Sequence, residues 1–241
     1  MHALKSCVRA ALITGAATTA LVSAVVAGPQ AALATTTHAA PAHATAVTGH
    51  IAQAGGHGNA GGNPDSLAQI ARTLPKVGPK DVLKLAAGQV GITENSDGGG
   101  TKFHDWYMST PRAQETLARD GGTLDGYANA PWCDMFVSWV GEQLGITPVM
   151  GSDAYTVEHA TWFAEHGRWG HTPKPGAVVF FDWSGGSDID GIDHVGFVVR
   201  DNGDGTIETI EGNTGDGGAV EERTRSTGYV TGYGYPLYTA P

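Results

Sequence analysis

The sequence predicts an α+β domain, with helices in its first half and a small antiparallel sheet in its second. Two observations carry this. Up to about residue 166 the apolar residues recur at helical spacing, and after Pro173-Lys-Pro-Gly176 they regroup into short β-rich runs separated by turn residues. A third observation is Asp201-Asn-Gly203-Asp-Gly205, a strong hairpin turn between two of those runs. Helices first and strands second, without alternation, is the order of an α+β arrangement.

The chain has 241 residues and two cysteines, Cys7 and Cys133. Lys5 and Arg9 form a short basic region, the run from Ala10 to Ala27 is apolar or small, and Ala32-Leu33-Ala34 offers a cleavage site. Residues 1–34 therefore read as a secretory signal peptide. The Ala, Thr and Gly content of the run and its break at Gly28-Pro29 speak against a membrane anchor. Removing the leader takes away two basic residues and no acidic ones, leaving 12 Lys+Arg against 24 Asp+Glu, a formal charge of −12. So acidic a protein lacks the basic patch that nucleic acid or an anionic surface requires. Cys133 is then the one remaining thiol, and a lone cysteine in an exported protein serves an intermolecular disulfide or chemistry of its own.

Residues 35–65 are mostly Ala, Thr, His, Gly and Asn, too poor in large apolar side chains to repay ordering, and are expected to form a disordered linker. Its histidines His38, His43, His50 and His57 are widely spaced and lack Cys or carboxylate partners, so a solvated tail outweighs a metal site. One catalytic domain is expected over 66–241. It opens with two helical patterns, Leu67, Ile70 and Ala71, then Val82, Leu83, Leu85, Ala86 and Val90 ending at Gly91. Glu94 to Gly100 is a turn-rich loop, followed by the aromatic cluster Phe103, Trp106 and Tyr107.

The organising stretch is Pro131 to Leu144. Phe136, Val137, Val140 and Leu144 fall at helical spacing, with Pro131 suited to the start and Gly145 to the stop. Cys133 then occupies the first turn, where the helix dipole and unpartnered backbone N–H groups stabilise a thiolate. A weaker helix follows around Val157 to His166. The strands are Ala177–Phe181, His194–Val199 and Thr206–Ile210, with weaker runs near Ala219-Val220 and from Tyr229 to Tyr235. In this arrangement the Cys133 helix packs on the sheet.

A thiolate that attacks an amide needs a base that also protonates the leaving amine, and a third group to orient the base. His194 opens one strand and Glu211 closes the strand that the hairpin pairs with it, so the two are neighbours across the hairpin. A carboxylate on one ring nitrogen fixes the tautomer and turns the other nitrogen to the thiol. Taken singly, His194 reads as a strand-end surface residue, Glu211 as a solvated carboxylate and Asn213 as turn chemistry. His104, His159, His166 and His171 lie in helix or loop contexts with no matching partner.

From about Gly78 to Tyr238 the sequence resembles the CHAP domains, cysteine- and histidine-dependent amidohydrolases and peptidases of bacterial and phage cell-wall enzymes. The resemblance rests on Pro131-Trp-Cys133-Asp-Met-Phe-Val-Ser-Trp-Val, Pro173-Lys-Pro-Gly-Ala-Val-Val-Phe-Phe, Asp193-His194-Val-Gly-Phe-Val-Val and Thr209-Ile-Glu211-Gly-Asn213-Thr, in family order. It implies a papain-like fold with Cys133 as nucleophile, His194 as general base and Glu211 orienting the histidine. Asn213 corresponds to a further polar site residue that assists orientation or the oxyanion. Ala177 departs from the acidic residue the family often carries there, outside the catalytic set.

The expected protein is thus a secreted, extracellular or wall-associated monomer without cofactor. It would cleave an amide of peptidoglycan, with no nucleic-acid partner and no transmembrane anchor after leader removal. Trp132, Trp183 and Trp106 are the aromatics expected to line the cleft, weighed against plain core packing. Two acidic loops, Asp188 to Asp193 and Asp201 to Gly205, invite a calcium reading, but neither reaches a bidentate Glu at the twelfth position, and no metal is assigned. The rival readings are an amidase or acyl transferase acting on another secreted amide, and a non-catalytic wall-binding module.

Overall fold

The computed structural model describes residues 64–216 and 218–241; the expected signal peptide and all but the end of the expected linker lie outside the described residues. Among the described residues every α-helix precedes every strand: α1 (Pro64–Thr73), α2 (Pro79–Ala87), α3 (Lys102–Met108), α4 (Pro111–Asp120), α5 (Cys133–Gln143), α6 (Thr147–Met150) and α7 (Thr156–Glu165). The strands are β1 (Trp169–Gly170), β2 (Val178–Phe181), β3 (His194–Asp201), β4 (Thr206–Thr214), β5 (Ala219–Ser226) and β6 (Val230–Gly234). They form one antiparallel sheet in the order β1-β6-β2-β3-β4-β5. The expected α+β order holds. Among the described residues, no helix is long and apolar enough to cross a membrane.

The helices unassigned from periodicity have local causes. Thr101 accepts from the N–H groups of Phe103 and His104, which starts α3 and sets Phe103 and Tyr107 one turn apart on its buried side. Thr110 accepts from Ala113 N–H while Pro111 fills the first turn of α4, where a missing N–H costs nothing. Gly145, at φ 68°, ends the turn after α5 in the left-handed conformation that glycine adopts without strain.

The period of two along the strands gives the sheet two apolar faces. Val178, Phe180, Val195, Phe197 and Ile210 face the helices, while Val179, Phe181, Val198, Ile207 and Tyr233 form a separate cluster on the other side. Helix α5 packs on β3 and β4, with Phe136 edge-on to Phe197 at 6.0 Å. Fully burying such a ring contributes on the order of 2 to 3 kcal/mol. The close approach depends on Gly212, where an added Cβ would stand 2.7 Å from Phe136 Cβ.

The hairpin joins β3 to β4 as expected, but β4 and β5 are longer than their apolar patterns. Strand β5 pairs with β4 from Ser226 to Ala219, with a register shift between Glu211 and Thr214. Its outward residues are polar, which hid it from a search for alternating apolar side chains. In the turn, Asp201 Oδ1 accepts from Gly203 N–H (2.9 Å) and Asp204 Oδ1 from Thr206 N–H (3.0 Å), so both carboxylates serve the turn itself.

Candidate active site

His194 is the first residue of β3 and pairs with Phe181 of β2, while Val195 and Phe197 after it face α5. The imidazole stacks beside Phe181 (6.0 Å between centroids) and Trp183 (5.5 Å), almost wholly buried. Its Nε2 donates to Glu211 Oε2 at 2.9 Å. The hairpin thus brings together the two residues that sequence pairing selects. The carboxylate on Nε2 fixes the orientation of the ring.

Glu211 is fully buried and accepts from four groups. Thr209 Oγ1 (2.5 Å) and Arg225 Nε (2.9 Å) donate to Oε1, and His194 Nε2 and Arg225 Nη2 (2.5 Å) donate to Oε2. Burial alone would raise this carboxyl; the hydrogen bonds from Arg225 and His194 and their charges outweigh it and hold the group at about 2, below the usual 4.5. The sequence reading missed Arg225. Its signal was the buried glutamate itself, which needs a cation, and the basic residues of β5 were the nearest candidates. The guanidinium also lies over Trp183 at 4.9 Å and donates to Thr214 Oγ1 at 2.9 Å, so one side chain braces both the carboxylate and the aromatic wall.

A folded value below the unfolded one contributes stability that is present above pH 4.5 and is lost as pH falls through about 2. The contribution is on the order of 3 kcal/mol. Urea unfolding from pH 6 to pH 2.5 should therefore show Glu211→Gln taking up about one proton fewer than the parent across that window. Equal pH slopes in the two proteins would remove this ionisation from the site.

Asn213 sits in the irregular end of β4 with φ 54°, a left-handed conformation that asparagine tolerates better than most residues. Its Oδ1 accepts the backbone N–H of Trp132 (3.1 Å) and its Nδ2 donates to Glu94 Oε2 (3.0 Å). Trp132 is the N-cap of α5 and supplies no side-chain cap of its own, so Asn213 reaches across from the sheet to the helix start. Asn213 therefore ties the end of β4 to the start of α5.

Cys133 is the first residue of α5, as its place in the sequence predicts, and is 1% exposed. Cys133 is disulfide-bonded in this structure. The sequence holds one other cysteine, Cys7, within the expected leader. The chemistry of a thiol at this position thus belongs to the chain once that bond is opened.

The three tryptophans expected in the cleft divide. Trp183 stands beside His194. Trp132 is fully buried and stacked on Phe103 at 5.3 Å, with its indole N–H on Glu94 Oε2 (3.1 Å), so it is core and not cleft wall. Trp106 lies elsewhere: α3 turns Phe103 and Tyr107 inward, and Trp106 lines a cavity of about 310 Å³ with Arg112, Glu115 and Trp162.

Three of the histidines read as lacking a matching partner are hydrogen-bonded: His166 Nδ1 lies 2.7 Å from the Trp162 carbonyl oxygen, and the other two are buried. His159 Nδ1 lies 2.7 Å from Asp134 Oδ1 and its Nε2 2.9 Å from the Met150 carbonyl, all in the core. Burial pushes the Asp134 carboxyl up; at His159 burial is outweighed by the charge and hydrogen bond of Asp134, which push the imidazole up. The pair ties the first turn of α5 to α7. His104 bonds Thr101 Oγ1 (2.7 Å) and the Ala130 carbonyl (3.0 Å), holding the approach to α5. The long-range contacts were not legible as spacings: Asp134 and His159 are 25 residues apart, and His104 reaches the Ala130 backbone oxygen 26 residues on.

Residues 125–213 match the family model for the CHAP domain, a shorter span than the stretch over which the motifs resemble that family. No curated protein matches the chain. The match runs from just before α5 to Asn213 and so includes Cys133, His194, Glu211 and Asn213, while Glu94 and Arg225 lie outside it.

Proposed function

We propose a thiol mechanism for this chain, which carries a CHAP domain over residues 125–213 and so belongs with amidase- and peptidase-type hydrolases. The substrate is an amide of the peptidoglycan peptide. The observation that supports the reading is a continuous set of contacts. His194 bonds Glu211 at the end of β4, and Asn213, two residues on, bonds the Trp132 N–H that immediately precedes Cys133.

In the thiol form, Sγ of Cys133 transfers its proton to His194 Nδ1 and attacks the amide carbonyl carbon. The tetrahedral oxyanion is met by backbone N–H groups at the start of α5, which have no intrahelical acceptors. The imidazolium returns its proton to the amide nitrogen, the C–N bond breaks, and an amine leaves from a thioester. Water, deprotonated by the same Nδ1, attacks the thioester carbonyl; the carboxylate product departs and the thiol is restored. Glu211 fixes the tautomer in both halves of the cycle. Trp183 is the aromatic placed to meet the substrate beside the base.

The signal-like start supports action outside the cell, with cleavage of the leader after Ala34. N-terminal sequencing of protein from culture fluid should begin near Thr35; retention of residues 1–34 would remove that step. The deciding experiment digests purified walls with the full chain carrying Cys7→Ser, under reductant, and with the same chain also carrying Cys133→Ala. Mass spectrometry is expected to find new amine and carboxyl termini of one wall amide in the first digest alone. Intact wall peptides in both, or equal cleavage by both, would overturn the reading.

A further inference from the structure

We propose that Glu94 is a positioning residue of the thiol site, acting through Asn213 and Trp132 to hold the start of α5 where Cys133 begins. The inference rests on the reading of Cys133 as nucleophile. Glu94 precedes the span of the family match, so membership in the family does not supply it.

Three groups from three parts of the chain hold one another. Glu94 Oε2 accepts the indole N–H of Trp132 (3.1 Å) and the amide N–H of Asn213 (3.0 Å), and Asn213 Oδ1 accepts the backbone N–H of Trp132 (3.1 Å). Each bond fixes what the other two leave open. An amide offers nearly the same shape either way round, and here the carboxylate decides which end of Asn213 faces the helix. Rotated, Asn213 would point its own donors at the Trp132 N–H, and α5 would lose the acceptor that stands in for a cap. Cys133 is the next residue, so the error would reach the thiol directly.

The loop that carries Glu94 is itself anchored. Its backbone N–H donates to the Gly218 carbonyl at 3.0 Å, and Thr93 bridges to Ala219 at the start of β5. Gly218 leaves the carboxylate its room: a Cβ there would stand 2.5 Å from Glu94 Oε1. A glycine at φ 51° thus meets a need of backbone shape and of close approach together.

Geometry and charge are separated by two variants. Glu94→Gln keeps the length of the side chain and an oxygen that can accept both bonds, while Glu94→Asp keeps the charge but withdraws it by one methylene. Both are made in the full chain with Cys7→Ser, in which Cys133 is the only cysteine. The readouts are the iodoacetamide rate between pH 5 and 9, turnover and KM on walls, and the melting temperature. Misplacement of a reacting group by about 1 Å can cost about a hundredfold, so Glu94→Asp should lose about ten- to a hundredfold in turnover with KM little changed. Its alkylation at pH 6 should slow in parallel, while Glu94→Gln stays within about threefold of the parent.

Gln as slow as Asp, or slower, would overturn the proposal, since an accepting oxygen kept at full reach would then not be what holds the site. Both variants matching the parent would overturn it as well, leaving Glu94 a tie whose loss lowers only the melting temperature. If the parent itself alkylates slowly at pH 6 and leaves walls intact, the thiol reading fails and this inference with it.

Discussion

Glu211→Gln is expected to lower turnover by roughly a thousandfold while the protein stays folded. The reason lies in the donors around the carboxylate. Five hydrogen bonds from four donor atoms converge on its two oxygens, and a glutamine has one oxygen and one NH₂ to meet them. With the amide oxygen at the Oε1 position, Thr209 and Arg225 Nε are satisfied and the NH₂ faces His194. The imidazole must then accept at Nε2, which places its proton on Nδ1, where it can no longer take one from the thiol. The variant has the right shape and the wrong tautomer.

The effect on KM should be small, because the lost group acts on the base and not on the bound peptide. Turnover on walls under reductant, with circular dichroism to establish the fold, measures it. Wild-type turnover from a folded Glu211→Gln protein would mean that another group orients the base.

Why Glu211 was legible and Arg225 was not follows from what sequence patterns encode. The hairpin turn Asp201 to Gly205 sets two strands side by side, so the start of β3 and the end of β4 had to be neighbours, and His194 and Glu211 met there. A first-turn cysteine followed from the apolar spacing of α5 with as little ambiguity. The supporting residues carry no such marks. Arg225 belongs to a strand whose outward positions are polar, Glu94 sits in a loop rich in turn residues, and each reaches its partner through tertiary contact.

The aromatics failed for the opposite reason. Trp132 and Trp106 stand beside motif or cluster residues, but adjacency in a helical segment says nothing of facing, and the helix turned one into the core and the other toward a separate cavity.

The nucleophile can be tested without knowing the bond that is cut. A thiol at a helix N-terminus beside an imidazolium ionises several pH units below the ordinary cysteine value of about 8.5. In the full chain with Cys7→Ser, alkylation reports on Cys133 alone. Iodoacetamide is expected to react fast near pH 6, with activity lost in step. Adding His194→Ala should slow the reaction at pH 6 by about a hundredfold or more, because the imidazolium that stabilises the thiolate is gone. Near pH 9 the two rates should converge, since hydroxide then ionises the thiol without help. That convergence separates loss of a charge partner from loss of access: a thiol merely packed in the core, where Cys133 is 1% exposed, would react slowly at every pH until the protein unfolds. Slow alkylation at pH 6 in a folded, active preparation would remove Cys133 and His194 from the reaction together, whatever the wall digests show.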